Sequence, residues 1–236
     1  MSLPKFNDVP KHSIVIPSSG KKVTYRPFLV KEEKILLMAL ESEDQKQIAR
    51  SVYDTVTSCV YEEIKPRELT VYDVEYLFLN IRSRAIGETA TINLKCENCG
   101  HENGLKVNVT KVKVDNKKTD NMLDLGNKLV LEMQHPTFES MLDNEEVENA
   151  ESLTDKVFAA VKTAIKAIHY NDERLEVKDY SAQEMNEFID NLSGKQFAII
   201  REYVEKIPKL TQDLEYDCEE CHTHNKLTVE GLQNFL

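Results

Sequence analysis

Two Cys-x-x-Cys pairs, Cys96/Cys99 and Cys218/Cys221, constrain this chain more than any other feature, because the sequence around them repeats. At a constant offset of 122 residues, positions 91–107 (TINLKCENCGHENGLKV) align with positions 213–229 (DLEYDCEECHTHNKLTV). Apolar residues alternate ahead of each pair: Ile92 and Leu94 in the first, Leu214 and Tyr216 in the second. Behind each pair come an asparagine and renewed alternation, Asn103, Leu105, Val107 and Asn225, Leu227, Val229. A period of two on both sides of a tight turn predicts two β-hairpins, each with two thiolates at its tip. Two such knuckles facing each other supply four sulfurs in a tetrahedron. That is the donor set of a structural zinc site of ribbon type, with Cys96, Cys99, Cys218 and Cys221 as ligands.

Competing uses of cysteine fit less well. A disulfide scaffold suits a short secreted chain, and this one has 236 residues. A thioredoxin-like motif needs a single pair opening a helix, whereas both pairs here interrupt strand patterns. A catalytic zinc keeps an open position that four thiolates would close. His101, His222 and His224 lie beside the pairs but do not occupy equivalent places in the two repeats, which reads as exposed turn histidines. Cys59 shares a helical pattern with Val52 and Val56 and reads as a buried small hydrophobe. The 118 residues between Cys99 and Cys218 far exceed the usual ribbon spacing. Everything between the knuckles becomes a closed excursion. Cross-linking a loop of about 100 residues removes on the order of 5 kcal/mol of unfolded-state entropy. Structural zinc binds peptides with roughly 10–16 kcal/mol.

Composition narrows the class. The chain is 41% hydrophobic and 30% charged with a net charge of -11, an ordinary globular balance on the acidic side. Its longest apolar run spans six residues, 35–40, against about 20 for a membrane span. The start, MSLPKFNDVP, lacks the apolar segment of a secretory signal. No GxGxxG, P-loop, GxSxG or HExxH motif occurs, so the reading is of a non-enzyme without a small-molecule substrate. An acidic surface repels phosphate and weighs against nucleic acid.

Along the chain, residues 1–11 read as a flexible arm. Ile14, Ile16, Val23 and Tyr25 around a Pro-Ser-Ser-Gly loop predict a hairpin. Helices are predicted over residues 29–40, over a segment carrying Ile48, Val52, Val56 and Val60 and stopped by Pro66, and from a Thr70/Asp73 capping box to about Arg84. Residues 111–120, with Lys111, Lys113, Lys117 and Lys118, read as a solvated loop or hairpin. Residues 128–133 read as a strand. Residues 139–155 carry seven acids and no base, a solvated face or a dock for a basic partner. A long helix is predicted over 153–168, a hairpin around Asn171-Asp172, a helix from a Ser181/Glu184 box, and a last helix between Gly194 and Pro208. The apolar end, GLQNFL, reads as a docked tail. The expectation is an α+β fold, a helical body with small β-hairpins. Its segments are 12–90 (hairpin plus helices), 91–115 with 209–236 (a discontinuous zinc-ribbon module), and 116–208 (a mainly helical insertion with short strands).

One stretch resembles a known family. Tyr25-Arg26-Pro27-Phe28 followed by Lys31-Glu32-Glu33-Lys34 resembles the baseplate proteins of T-even-like contractile-tailed bacteriophages, as does a knuckle close to a terminal G-L-x-N-F-L. That family includes a hub subunit and a hub assembly factor. The resemblance implies a hub component or assembly chaperone that binds other tail proteins, in the host cytoplasm during assembly and in the virion tail, with no catalytic residues. The zinc site rests on the spacing alone. From the residues themselves, Tyr25 and Phe28 read as packing groups, Arg26 as a carboxylate's partner or a partner's contact, and residues 31–34 as a solvent-facing turn or contact surface. The alternative reading is a zinc-ribbon nucleic-acid binder, against which Glu97, Glu219 and Glu220 at the knuckle tips argue.

Overall fold

The structure, a computed structural model, describes residues 9–115, 119–144, 146 and 152–235. Seven α-helices and several small antiparallel sheets are found among them, in two compact units. One unit joins residues 1–115 to 209–236, and the other is 116–208.

The first unit begins with the hairpin β1 (His12–Val15) and β2 (Lys22–Tyr25). Helices α1 (Val30–Glu41), α2 (Gln45–Cys59) and α3 (Val71–Ala85) follow. The second helix stops at Cys59, well before Pro66, because its exit is claimed by the hairpin. Arg26 N–H donates to the Cys59 carbonyl, Tyr61 N–H donates to Thr24, and Val60 bridges Tyr25. Asp44 caps α2 through the Lys46 and Gln47 N–H groups. The Thr70/Asp73 capping box forms as the sequence reads. Asp73, fully buried, also accepts from the Ser18 N–H and hydroxyl, so one carboxylate starts α3 and ties down the hairpin loop.

The Tyr25–Lys34 run folds around an ion pair. Tyr25 and Phe28 are buried, as their packing role requires. Arg26 reaches Glu32 at 2.9 Å and the carbonyls of Pro27 and Ser58. Glu32 is only 5% exposed, which corrects the expectation of a solvent-facing or contact turn at this position. Burial opposes ionisation of Glu32, but Arg26, the Leu29 N–H and Lys31 outweigh it and hold the carboxyl below its ordinary range. Burial likewise opposes the charge on Arg26, and Glu32 outweighs it. Cys59 is buried as expected, and burial pushes its thiol up to about 11.

The third helix delivers the chain into the hairpin β3 (Thr89–Lys95) and β4 (Glu102–Asn108). After a short 3₁₀ turn, β5 (Lys113–Val114) pairs with β10 (Leu210–Asp217), and β10 pairs with β11 (His224–Glu230). The Asp115 N–H donates to Lys209, so residues 116–208 leave and return at one point. α3 packs against α2, β5, β10 and the terminal 3₁₀ turn Leu232–Asn234. Phe235 is fully buried, so the tail docks as far as it is described; Leu236 lies outside the described residues.

In the other unit, β6 (Met122–Asp124), β7 (Leu129–Met133), β8 (Ile165–Tyr170) and β9 (Glu173–Glu176) form one antiparallel sheet in that order. A short α4 (Phe138–Leu142) precedes α5 (Leu153–Ala164). The helix expected over 153–168 ends at Ala164, because residues 165–170 pair with both β7 and β9. A short apolar run satisfies either period, and strand pairing decides it. The hairpin expected at Asn171-Asp172 forms with both residues at positive φ. α6 (Ala182–Asp190) starts at the Ser181/Glu184 box and α7 (Gly194–Glu205) at Ser193. Val161, Ile165, Ile168, Met185, Ile189, Ile200 and Tyr203 join Leu131 and Met133 in the core. Of the acidic stretch, Asp155 pairs with the Ser152 cap and Glu146 with Lys162. Glu145, Glu148 and Glu151, like Lys117, Lys118 and the arm's residues 1–8, lie outside the described residues.

Two substitutions test this framework. Glu32→Ala leaves the Arg26 guanidinium without its carboxylate and is expected to cost about 3–5 kcal/mol in urea unfolding. The pair's contribution is complete above the unfolded Glu value of about 4.3 and fades as pH falls through the lower folded value, so the melting temperatures of wild type and E32Q should converge in acid. Phe235→Ala empties a fully buried site, and a loss of about 3–5 kcal/mol by the same measurement is expected.

Candidate metal centre

The turns of the two hairpins are closed by the same backbone bonds. In the first, the Cys96 N–H donates to His101 and the Gly100 N–H to Cys96, each at 2.9 Å. In the second, the Cys218 N–H donates to Thr223 and the His222 N–H to Cys218, each at 3.0 Å. These turns need one left-handed residue apiece, supplied by Gly100 (φ 74°) and, at the repeated position, His222 (φ 56°).

The strands bring the tips together. All four sulfurs lie within 4.8 Å of one another, with Cys96 Sγ 3.7 Å from Cys221 Sγ and Cys99 Sγ 3.6 Å from Cys218 Sγ. All four are free thiols, so the pairs are not disulfides. Four sulfurs set about 2.3 Å from one ion at tetrahedral angles stand ~3.8 Å apart. The cluster is therefore compatible with a metal site. Cys96 and Cys218 are buried, Cys221 is half-buried and Cys99 is exposed, so the shell has an inner and an outer edge.

The local electrostatics prepare the sulfurs unevenly. The Cys99 and Asn98 N–H groups lower Cys96 against a weaker effect of burial. The Thr223 hydroxyl, its N–H and the Asn98 carboxamide pull Cys221 down to about 5. At Cys99 the His101 N–H favours the thiolate, but Cys221, burial, Cys218 and Cys96 outweigh it and push the thiol up to about 12. Four thiolates this close repel one another, and a divalent cation among them removes that repulsion.

The flanking histidines stay out of the group. His101, His222 and His224 are exposed, and His224 pairs with Asp217 at 2.9 Å. Glu97, Glu219 and Glu220 are exposed at the tips. Two residues that the sequence marks only as a repeated asparagine belong to the site: Asn103 and Asn225 are buried beneath the knuckles and bond across from one hairpin to the other. The signal was their identical position, seven residues after the first cysteine of each pair.

Fold and site together define a mixed helix-and-strand protein carrying a four-thiol cluster suited to a metal. The chain belongs to the family described as T4 bacteriophage base plate protein, whose match covers residues 9–236. No curated protein and no solved structure matches it. Family membership makes this a phage structural or assembly protein, a virion tail component that works among other phage structural proteins. No helix among the described residues is long and apolar enough to cross a membrane.

The cluster yields a direct test. Metal removal by a chelator, or Cys218→Ser, should lower the melting temperature of the protein by 10 °C or more, on the order of the several kcal/mol such a cross-link supplies. An unchanged melting curve after elemental analysis has confirmed metal loss would refute this.

Proposed function

We propose that this chain is a hub component or hub assembly chaperone of a contractile-tail baseplate, acting without catalysis by binding other tail proteins. Cys96, Cys99, Cys218 and Cys221 hold a structural zinc in this reading. Four thiolates close its coordination shell, so the ion's contribution is to cross-link the middle of the chain to its end, not to activate water. Zinc with four thiolates adds -2 to the formal charge, which makes the protein still more acidic.

The observation that carries the binding reading is α1. Its buried side is narrow, formed by Glu32 and Ala39, while Val30 is 79% exposed, Leu37 54% and Met38 59%, with Leu40 beside them. A run of large apolar groups on one exposed helix supports a protein-protein contact. The baseplate family supplies the class of partner, other structural proteins of the tail. Carboxylates at the knuckle tips, rather than basic and aromatic residues, weigh against the nucleic-acid reading.

The proposal is tested in phage-infected cells. Mass spectrometry of purified virions and of the soluble hub-assembly fraction should find the chain in one or both, and deletion should block baseplate assembly. The double variant L37E/M38E should melt within about 2 °C of wild type, since both side chains face solvent, yet fail to co-sediment with hub intermediates. Normal assembly with this variant would remove α1 from the contact.

A further inference from the structure

We propose that Asn103 and Asn225 are the positioning residues of the metal centre, a reciprocal clamp that sets the knuckles at metal-binding distance; this rests on the metal reading above. Each carboxamide works in both directions. The Asn103 Oδ1 accepts the Glu219 N–H of the opposite knuckle at 2.9 Å, and its Nδ2 donates to His101 of its own turn at 3.0 Å. The Asn225 Oδ1 accepts the Glu97 N–H at 3.2 Å, and its Nδ2 donates to Thr223 at 2.8 Å. These four bonds are carried onto one another by the same 122-residue offset, 97 to 219, 101 to 223 and 103 to 225, and Asn103 Nδ2 has one longer bond besides, to the Leu94 carbonyl at 3.5 Å.

The burial of both groups is the second observation. Asn103 is fully buried and Asn225 is 3% exposed, an unusual place for a residue type that is mostly found at the surface. Burial of an amide is tolerable when its polar atoms find partners, and here each Oδ1 and each Nδ2 has one. Removing one side chain takes the partner from an N–H of the opposite knuckle, while the carbonyl of its own turn keeps the N–H of the first cysteine.

Position explains what the clamp does for the sulfurs. Glu97 and Glu219 directly follow the first cysteine of each pair. Anchoring the N–H at that place fixes the start of the turn that Gly100 N–H closes onto the Cys96 carbonyl and His222 N–H onto the Cys218 carbonyl, and so fixes where the second cysteine of each pair stands. The close sulfur contacts obey the same symmetry, since the offset and its reverse carry Cys96–Cys221 onto Cys218–Cys99. Further bonds hold the hairpins together without repeating, Tyr216 Oη to the Lys95 carbonyl and Asn98 Nδ2 to Thr223 Oγ1, each at 3.2 Å, and Asn98 Nδ2 to Cys221 Sγ at 3.7 Å. They keep the module assembled when one clamp arm is lost, so single variants remain testable.

The experiment compares full-length wild type, N103A and N225A at a temperature where circular dichroism shows all three folded. Zinc affinity is measured by competition with a chromophoric chelator, and amide hydrogen exchange is followed at Glu97 and Glu219. Affinity should fall 10–100-fold in each variant, the usual effect of losing a group that orients a ligand set. Exchange should cross over, N103A accelerating the Glu219 amide and N225A the Glu97 amide. General destabilisation would not produce that exchange pattern. Cobalt bound to each variant should keep the spectrum of four thiolates, because the ligands themselves are intact. Unchanged zinc affinity in both variants, or acceleration of both amides alike, overturns the clamp while leaving the metal site standing. Wild type that binds no zinc overturns the metal reading and the clamp's role with it.

Discussion

The rest of the first unit depends on one meeting, that of the knuckle at Cys96 with the knuckle at Cys218 across more than a hundred residues of chain. Four sulfurs within 4.8 Å and two buried asparagines lie at that meeting. Each neighbouring element is placed by it or against it. α3 runs straight into β3, β5 pairs with β10, and the terminal turn returns to α3. Like charge alone would drive four thiolates apart, so hydrogen bonds carry the approach and a cation removes what repulsion is left.

A second buried polar contact organises the other end of the unit. Arg26 and Glu32 join the end of the hairpin to the start of α1, and the carbonyl of Ser58 brings in the last turn of α2. Taking both charges out of water is costly, and their pairing, with the Leu29 N–H on the carboxylate, offsets it. The motif that resembles the baseplate family is therefore an internal fastening at its centre, Arg26 and Glu32. Its outward product is the helix that follows, with an apolar face left to solvent. A protein of a multi-component tail needs both: a rigid scaffold and a surface that is stable alone yet gains by being covered.

Much of this was legible in the residues because its causes are local. A cap is a contact over three residues, so Thr70/Asp73 and Ser181/Glu184 could be read directly and are found as read. The repeated knuckles were legible because chance rarely gives two cysteine pairs the same spacing and the same flanking alternation. Where reading by period failed, the competing force came from elsewhere in the chain. Ile165 and Ile168 continue the helical period of α5 but belong to a strand, since β7 and β9 offer hydrogen bonds on both sides. The strand at residues 122–124 gave no signal at all; its pairing with β7 defines it.

By itself the sequence determined the chemistry available: two thiol pairs, the asparagine repeated with them, the caps and the apolar faces. Each is set by a residue and its near neighbours. Only the tertiary structure decided how polar groups far apart in sequence are satisfied. Asp73 holds Ser18, Glu32 is drawn inside by Arg26, and each asparagine takes an N–H from the opposite knuckle. The physical reason is that a buried donor or acceptor must be paired, while nothing in a linear pattern states which distant group will pair with it.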